Sequence, residues 1–151
     1  MAKPLQGLRE RLLEQLADAS RHVDIASPHL EPALFDSDAV ASGLTALARR
    51  GAQTRIRLLI EEDQPGAYEF HRLVALSRRL STAISLRVLS EHPEWNRETI
   101  VVVDRACGLI VNPAERKSQV LDTRVQAQRW AETFERLWHA GRESQELRQF
   151  Y

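Results

Sequence analysis

The sequence predicts an α/β protein, a mixed β-sheet sandwiched by helices, on three observations. Amphipathic stretches with apolar residues at three- and four-residue steps alternate with short apolar runs rich in Val and Ile. Thr99 to Val103 is almost continuously β-branched, as a strand buried on both faces should be. Near the end of the chain Trp130, Phe134, Leu137 and Trp138 share one helical face, broad enough to cover a sheet. A length of 151 residues fits one domain over residues 1–151, in the order αβαβαββ(β)α.

Each element has a local cause. Leu5, Leu8, Leu12, Leu16 and Ala19 predict a first helix over 4–21. His22 to Ser27 alternates polar and apolar residues and stops at Pro28, which predicts a strand. Two prolines between Pro28 and Phe35 predict a loop, after which Asp36 or Ser37 caps a helix built on Val40, Leu44 and Leu47 and ended by Gly51. Ile56, Leu58 and Ile60 give a strand over Thr54 to Ile60, and Leu59 makes its end apolar on both faces. Phe70, Leu73, Val74, Ser77 and Leu80 predict a helix over 67–81. Strands follow at Ile84 to Val88 and Thr99 to Val103. The turn Arg105-Ala106-Cys107-Gly108 can return the chain as a fifth strand at Leu109 to Val111. Thr123 to Gln126 reads as a capping box that opens the last helix, and beyond Gly141 the chain is polar until Leu147.

Lys plus Arg and Asp plus Glu both number 21, so the net charge gives no attraction toward nucleic acid. The single cysteine, Cys107, excludes an intrachain disulfide, a CxxC redox pair and a cysteine-only zinc cage, and is the usage expected in a reducing cytoplasm. No stretch approaches the roughly 18 apolar residues of a membrane span, and charges interrupt the first 16 residues as no secretory leader allows. The five histidines have neither HxxxH nor HExxH spacing, so no metal or other cofactor is expected.

The phrases Asp24-Ile25-Ala26-Ser27-Pro28, then Leu47 to Ala52 entering Arg55 to Ile60, then Val101-Val102-Val103-Asp104-Arg105 occur in an order that resembles one half of the phospholipase D superfamily. The chain is also similar to a bacterial domain sometimes found behind GNAT-type acetyltransferase domains, though no acetyltransferase segment is present. The superfamily motif is HxKxxxxDxxxxxxGS, in which the His attacks phosphorus, the Lys steadies the phosphate and the Asp holds local structure. With Asp104 placed on the motif Asp, Arg97 stands in the place of the His, Thr99 in that of the Lys, and Val111-Asn112 in that of Gly-Ser. Arginine stays protonated and forms no phosphoryl-enzyme bond, so the resemblance implies a degenerate, non-catalytic member.

The expected role is therefore binding or scaffolding, the alternative being a divergent phosphodiesterase, nuclease, or phosphate- or nucleic-acid-binding protein. An anion cleft would use Arg97, Thr99, Asp104, Arg105, Asn112 and Arg116, and His92 is the one histidine close enough in sequence to rescue catalysis. Trp95, Phe150 and Tyr151 stand in polar, non-periodic sequence and read as anchors for a protein partner. Because superfamily enzymes pair two halves, the resemblance also implies a homodimer that meets near Arg97, Asp104 and Asn112.

Overall fold

The computed structural model describes residues 3–62, 65–68, 70–112, 114–144 and 147. Its centre is one mixed sheet in the order β6-β5-β4-β1-β2-β3-β7. β1 (His22–Ala26), β2 (Arg55–Ile60) and β3 (Ile84–Val88) are parallel. β4 (Thr99–Val103), β5 (Cys107–Asn112) and β6 (Lys117–Leu121) form an antiparallel meander that joins β1, and the short β7 (Arg142–Glu143) runs antiparallel to β3.

Alternation along the strands divides the core in two. Ile56, Leu58, Ile60, Val101 and Val103 point to one face, where α1 (Lys3–Asp18), α3 (Asp38–Ala48) and α5 (Arg72–Arg79) supply Leu12, Leu16, Val40, Leu44, Leu73 and Val74. Leu59, Ile100, Val102 and Ile110 point to the other, against Ala131, Phe134, Leu137 and Trp138 of α6 (Arg124–Ala140). The α/β class and the double-faced central strands are thus as the sequence predicts. Where β5 crosses β4 the backbones come so close that a Cβ at Gly108 would lie 1.9 Å from the Val101 carbonyl oxygen, which only glycine tolerates.

Five expectations need correction. The first helix stops at Asp18 rather than residue 21, because the backbone N–H groups of Ser20, Arg21 and His22 turn to the Asp104 carboxylate. The segment expected as a loop contains α2 (Pro32–Phe35): Glu31 caps it, and Pro32 lies at its start, where a missing N–H costs nothing. The helix expected over 67–81 is two, α4 (Pro65–Tyr68) and α5. The His71 imidazole caps α5 by accepting the Leu73 N–H, and Phe70, assigned to the buried stripe, is 86% exposed. β6 was not foreseen, since Lys117-Ser118-Gln119 carries only polar side chains on an edge strand. Finally, Thr123 caps α6 but the reciprocal half of the box is not made, and Gln126 Oε1 has no partner.

Candidate functional site

β1 and β2 end side by side where β4 begins in the opposite direction, and the chain leaves the sheet there in two loops. The space between them is a groove of about 750 Å³ at the carboxyl ends of the parallel strands, the usual ligand position in open α/β sheets. Its floor is polar: Ser27, just after β1, and Thr99, the first residue of β4, are buried with their hydroxyls 3.0 Å apart, and Ser27 Oγ also accepts the Glu31 N–H at 3.2 Å. Leu5, Leu8, Leu34 and Val111 form an apolar wall.

Arg97 stands at the mouth. One terminal nitrogen donates to Glu61 Oε1 at 2.6 Å, and the other lies 3.1 Å from His29 Nε2. A guanidinium only donates, so His29 Nε2 accepts and the ring proton sits on Nδ1, which faces Glu62 Oε1 at 3.6 Å. Both backbones here are unusual: Leu30 has φ 48° and Arg97 φ 63°, left-handed values that cost a bulky residue about 1 kcal/mol or more. Arg116, with φ 53°, closes the β5–β6 hairpin, where such a conformation is ordinary. Arg116 and Lys117 line the groove without a carboxylate partner among the described residues.

The structure therefore brings together Arg97, Thr99, Asn112 and Arg116 of the expected cleft, with Asn112 Oδ1 itself held by the Glu115 N–H. It does not bring in Asp104 or Arg105. They follow β4 while Arg97 precedes it, so roughly 20 Å of extended chain separates the two ends. Asp104 takes three backbone N–H groups. Burial pushes its carboxyl up, but those donors outweigh it and hold the group below the usual carboxylate range. Arg105 pairs instead with Glu135 at 3.2 Å. Arg97 and Asn112 thus line the groove, while Asp104 lies at the opposite end of β4.

Trp95 is corrected too. It is 7% exposed, packed with Leu89 and Ile100 beneath α6, and its indole N–H donates to the Glu98 carbonyl at 2.9 Å, so it is core rather than anchor. Phe150 and Tyr151 lie outside the described residues. His92 accepts the Glu94 N–H through Nδ1 and does not line this groove; His29 does, and sequence reasoning missed it. Its signal was positional: it comes three residues after the end of a parallel strand.

Among the described residues no three His, Cys, Asp or Glu side chains gather as a metal site, and no helix is long and apolar enough to cross a membrane. A family model described as a domain of unknown function (DUF7931) matches residues 5–150. Comparison with curated proteins gives no match. Among solved structures the chain resembles TrmBL2, described as an archaeal chromatin protein with a novel mode of DNA binding, at TM-score 0.67 and 12% identity. The likeness covers 93% of this chain and 51% of that one, so the chain spans about half the length of that protein, and at this identity it shows a shared fold.

Proposed function

The chain belongs to the DUF7931 family, and we propose that it is a non-catalytic, phospholipase D-like binding domain whose groove takes a phosphate ester with an apolar portion. One observation carries the reading: Arg97, in the place the superfamily resemblance gives to the nucleophile, is held at the groove mouth in a left-handed backbone by Glu61 and His29. A guanidinium can bind two phosphate oxygens through its fork but cannot take up phosphorus. Arg116 and Lys117 supply uncompensated charge, and the leucine wall suits the apolar portion.

The divergent phosphodiesterase remains the second reading, because His29 is a neutral imidazole in the groove. Its Nε2 lone pair, however, is engaged by Arg97 and is not free to attack. Zero net charge counts against a long nucleic-acid partner, and the DNA binding of TrmBL2 belongs to that protein. A single half-buried thiol, Cys107, suits a cytoplasmic location.

Calorimetry with bis-p-nitrophenyl phosphate tests this reading. Saturable binding, weakened at least tenfold in Arg116→Gln/Lys117→Gln and without nitrophenolate release, supports it. Release of nitrophenolate that disappears in His29→Gln would replace it with the phosphodiesterase.

A further inference from the structure

His29 stands between two carboxylates at the groove mouth. Its Nδ1 faces Glu62 Oε1 at 3.6 Å and its Nε2 lies 4.0 Å from Glu61 Oε2, so each ring nitrogen has a negative group about 1 Å beyond ordinary charge-assisted hydrogen-bond length. An imidazolium, which donates from both nitrogens, needs such a pair of acceptors. The ring is nevertheless neutral here, because Nε2 accepts an N–H of Arg97 at 3.1 Å and cannot carry a proton along the same line. Glu61 is drawn the other way, with its Oε1 on the Arg97 guanidinium at 2.6 Å.

One guanidinium against two carboxylates leaves the mouth with an excess of negative charge, which opposes an incoming anion. An anion seated on the Arg97 fork competes with Glu61 and withdraws the N–H from His29 Nε2. Both consequences favour a proton on that nitrogen: its lone pair is released, and the displaced Glu61 already has an oxygen turned toward it. The other charged groups nearby are engaged elsewhere or farther along the groove. Arg116 and Lys117 are cations on its β5–β6 side. Glu31 accepts the Ala33 N–H and Glu98 the Asn96 N–H. His71 lies behind, bonded to the Leu30 carbonyl, while Glu91 and His92 flank Arg97 on its far side, where the His92 ring accepts the Glu94 N–H.

We propose that the groove takes up its anion together with a proton held on His29. On binding, Glu61 passes from Arg97 to the His29 imidazolium, and the guanidinium fork is left to the ligand. The inference rests on the phosphate-ester reading given above. By linkage the anion favours the proton as much as the proton favours the anion. With the His29 side chain 54% exposed, the coupling belongs at the low end of the usual range, about five- to tenfold.

The test is calorimetry on the full chain with bis-p-nitrophenyl phosphate, a diester that stays a monoanion throughout, from about pH 8 to pH 5 in pairs of buffers with different ionisation heats. Affinity should rise about five- to tenfold across this range, with a fraction of a proton taken up near its middle and almost none at the alkaline end. In a histidine-labelled chain at fixed pH, the ring-nitrogen NMR shifts of His29 should move toward imidazolium when ligand is added. His29→Gln, whose amide oxygen can accept the Arg97 N–H but takes no proton, should take up none and lose the pH dependence. The ring shifts are read on the parent chain, so they decide the matter even if that variant folds poorly. Binding without proton uptake, uptake that persists in His29→Gln, or a His29 ring that stays neutral when ligand is bound would overturn the proposal. No saturable binding at any pH would overturn the phosphate-ester reading, and this inference with it.

Discussion

Asp104 Oδ1 accepts the backbone N–H of Arg21 at 2.8 Å, joining the β4–β5 turn to the segment between α1 and β1 across 83 positions of sequence. The same carboxylate takes His22 at 2.9 Å and Ser20 at 2.8 Å, so it closes the start of the central strand. Asp104→Asn keeps the shape but replaces one accepting oxygen with a donor. The expected loss is about 2 kcal/mol, given that a hydrogen bond to a charged group contributes roughly 1.5–3 kcal/mol, or a melting temperature lower by about 4–8 °C. Since the folded carboxyl lies below its ordinary value, its contribution is complete above about pH 4 and fades as pH falls through the folded value. Phosphate-ester affinity should not change, because the groove lies at the far end of β4. Scanning fluorimetry and calorimetry on this one variant check both halves.

Trp95 and Trp138 should behave alike. Both are buried in the α6 side of the core, so Trp95→Ala and Trp138→Ala should each cost roughly 3–5 kcal/mol through lost area and a cavity. A surface anchor at position 95 would instead leave urea unfolding unchanged on truncation, so the denaturation midpoint of Trp95→Ala decides between the two environments.

What the sequence revealed and what it hid follow from how local each signal is. The β-branched run of β4 and the Ile56-Leu58-Leu59-Ile60 pattern are local statements about burial on two faces, and the sheet uses them as written. Thr123 and Ser37 announce helix starts through their own hydroxyls. The break before α5 depends on a cap from His71, a residue whose type does not advertise capping. β6 depends on β5 being there to pair with. Trp95 was misplaced because its neighbours in sequence are polar while its neighbours in space, Leu89, Ile100 and Trp138, come from other elements. At the groove, Arg97 and Thr99 were visible through motif spacing. His29 and Glu61 reach Arg97 only because β1 and β2 end side by side, which no spacing within a single segment records.

His71 makes stability fall in mild acid. Its Nε2 donates to the Leu30 carbonyl at 2.8 Å while Nδ1 accepts the Leu73 N–H at 3.1 Å, an arrangement open only to the neutral ring. Burial lowers its pKa more than the Leu30 bond raises it, so the folded value lies below the ordinary one of about 6.5. The stabilisation is complete above about pH 6.5 and is lost as pH falls through the folded value. His71→Asn keeps an oxygen for the cap and removes the titration. Urea midpoints measured from pH 7.5 to 5 should therefore slope less in the variant than in the parent, whatever its absolute stability. Equal slopes would place the acid sensitivity in another group.

Glu61 occupies part of the space around Arg97 that an external anion would need. Its Oε1 is 2.6 Å from the guanidinium, and its Oε2 lies 4.0 Å from His29 Nε2, so one carboxylate faces both polar groups at the mouth. A phosphate ester that uses the Arg97 fork must displace this carboxylate or accept its repulsion. Glu61→Gln retains a carbonyl oxygen for the guanidinium but removes the negative charge, so the groove becomes a better anion site without losing its geometry. An advantage near 1–1.4 kcal/mol corresponds to a roughly five- to tenfold gain in affinity for bis-p-nitrophenyl phosphate. Arg97→Gln should reverse the direction and remove most binding, and Glu61→Gln/Arg97→Gln should resemble Arg97→Gln alone, because the carboxylate acts through the guanidinium it neutralises. If Glu61→Gln binds no more tightly than the parent, or strengthens binding equally when Arg97 is absent, then Arg97 is a structural partner of Glu61 and the ligand is held by Arg116 and Lys117 alone.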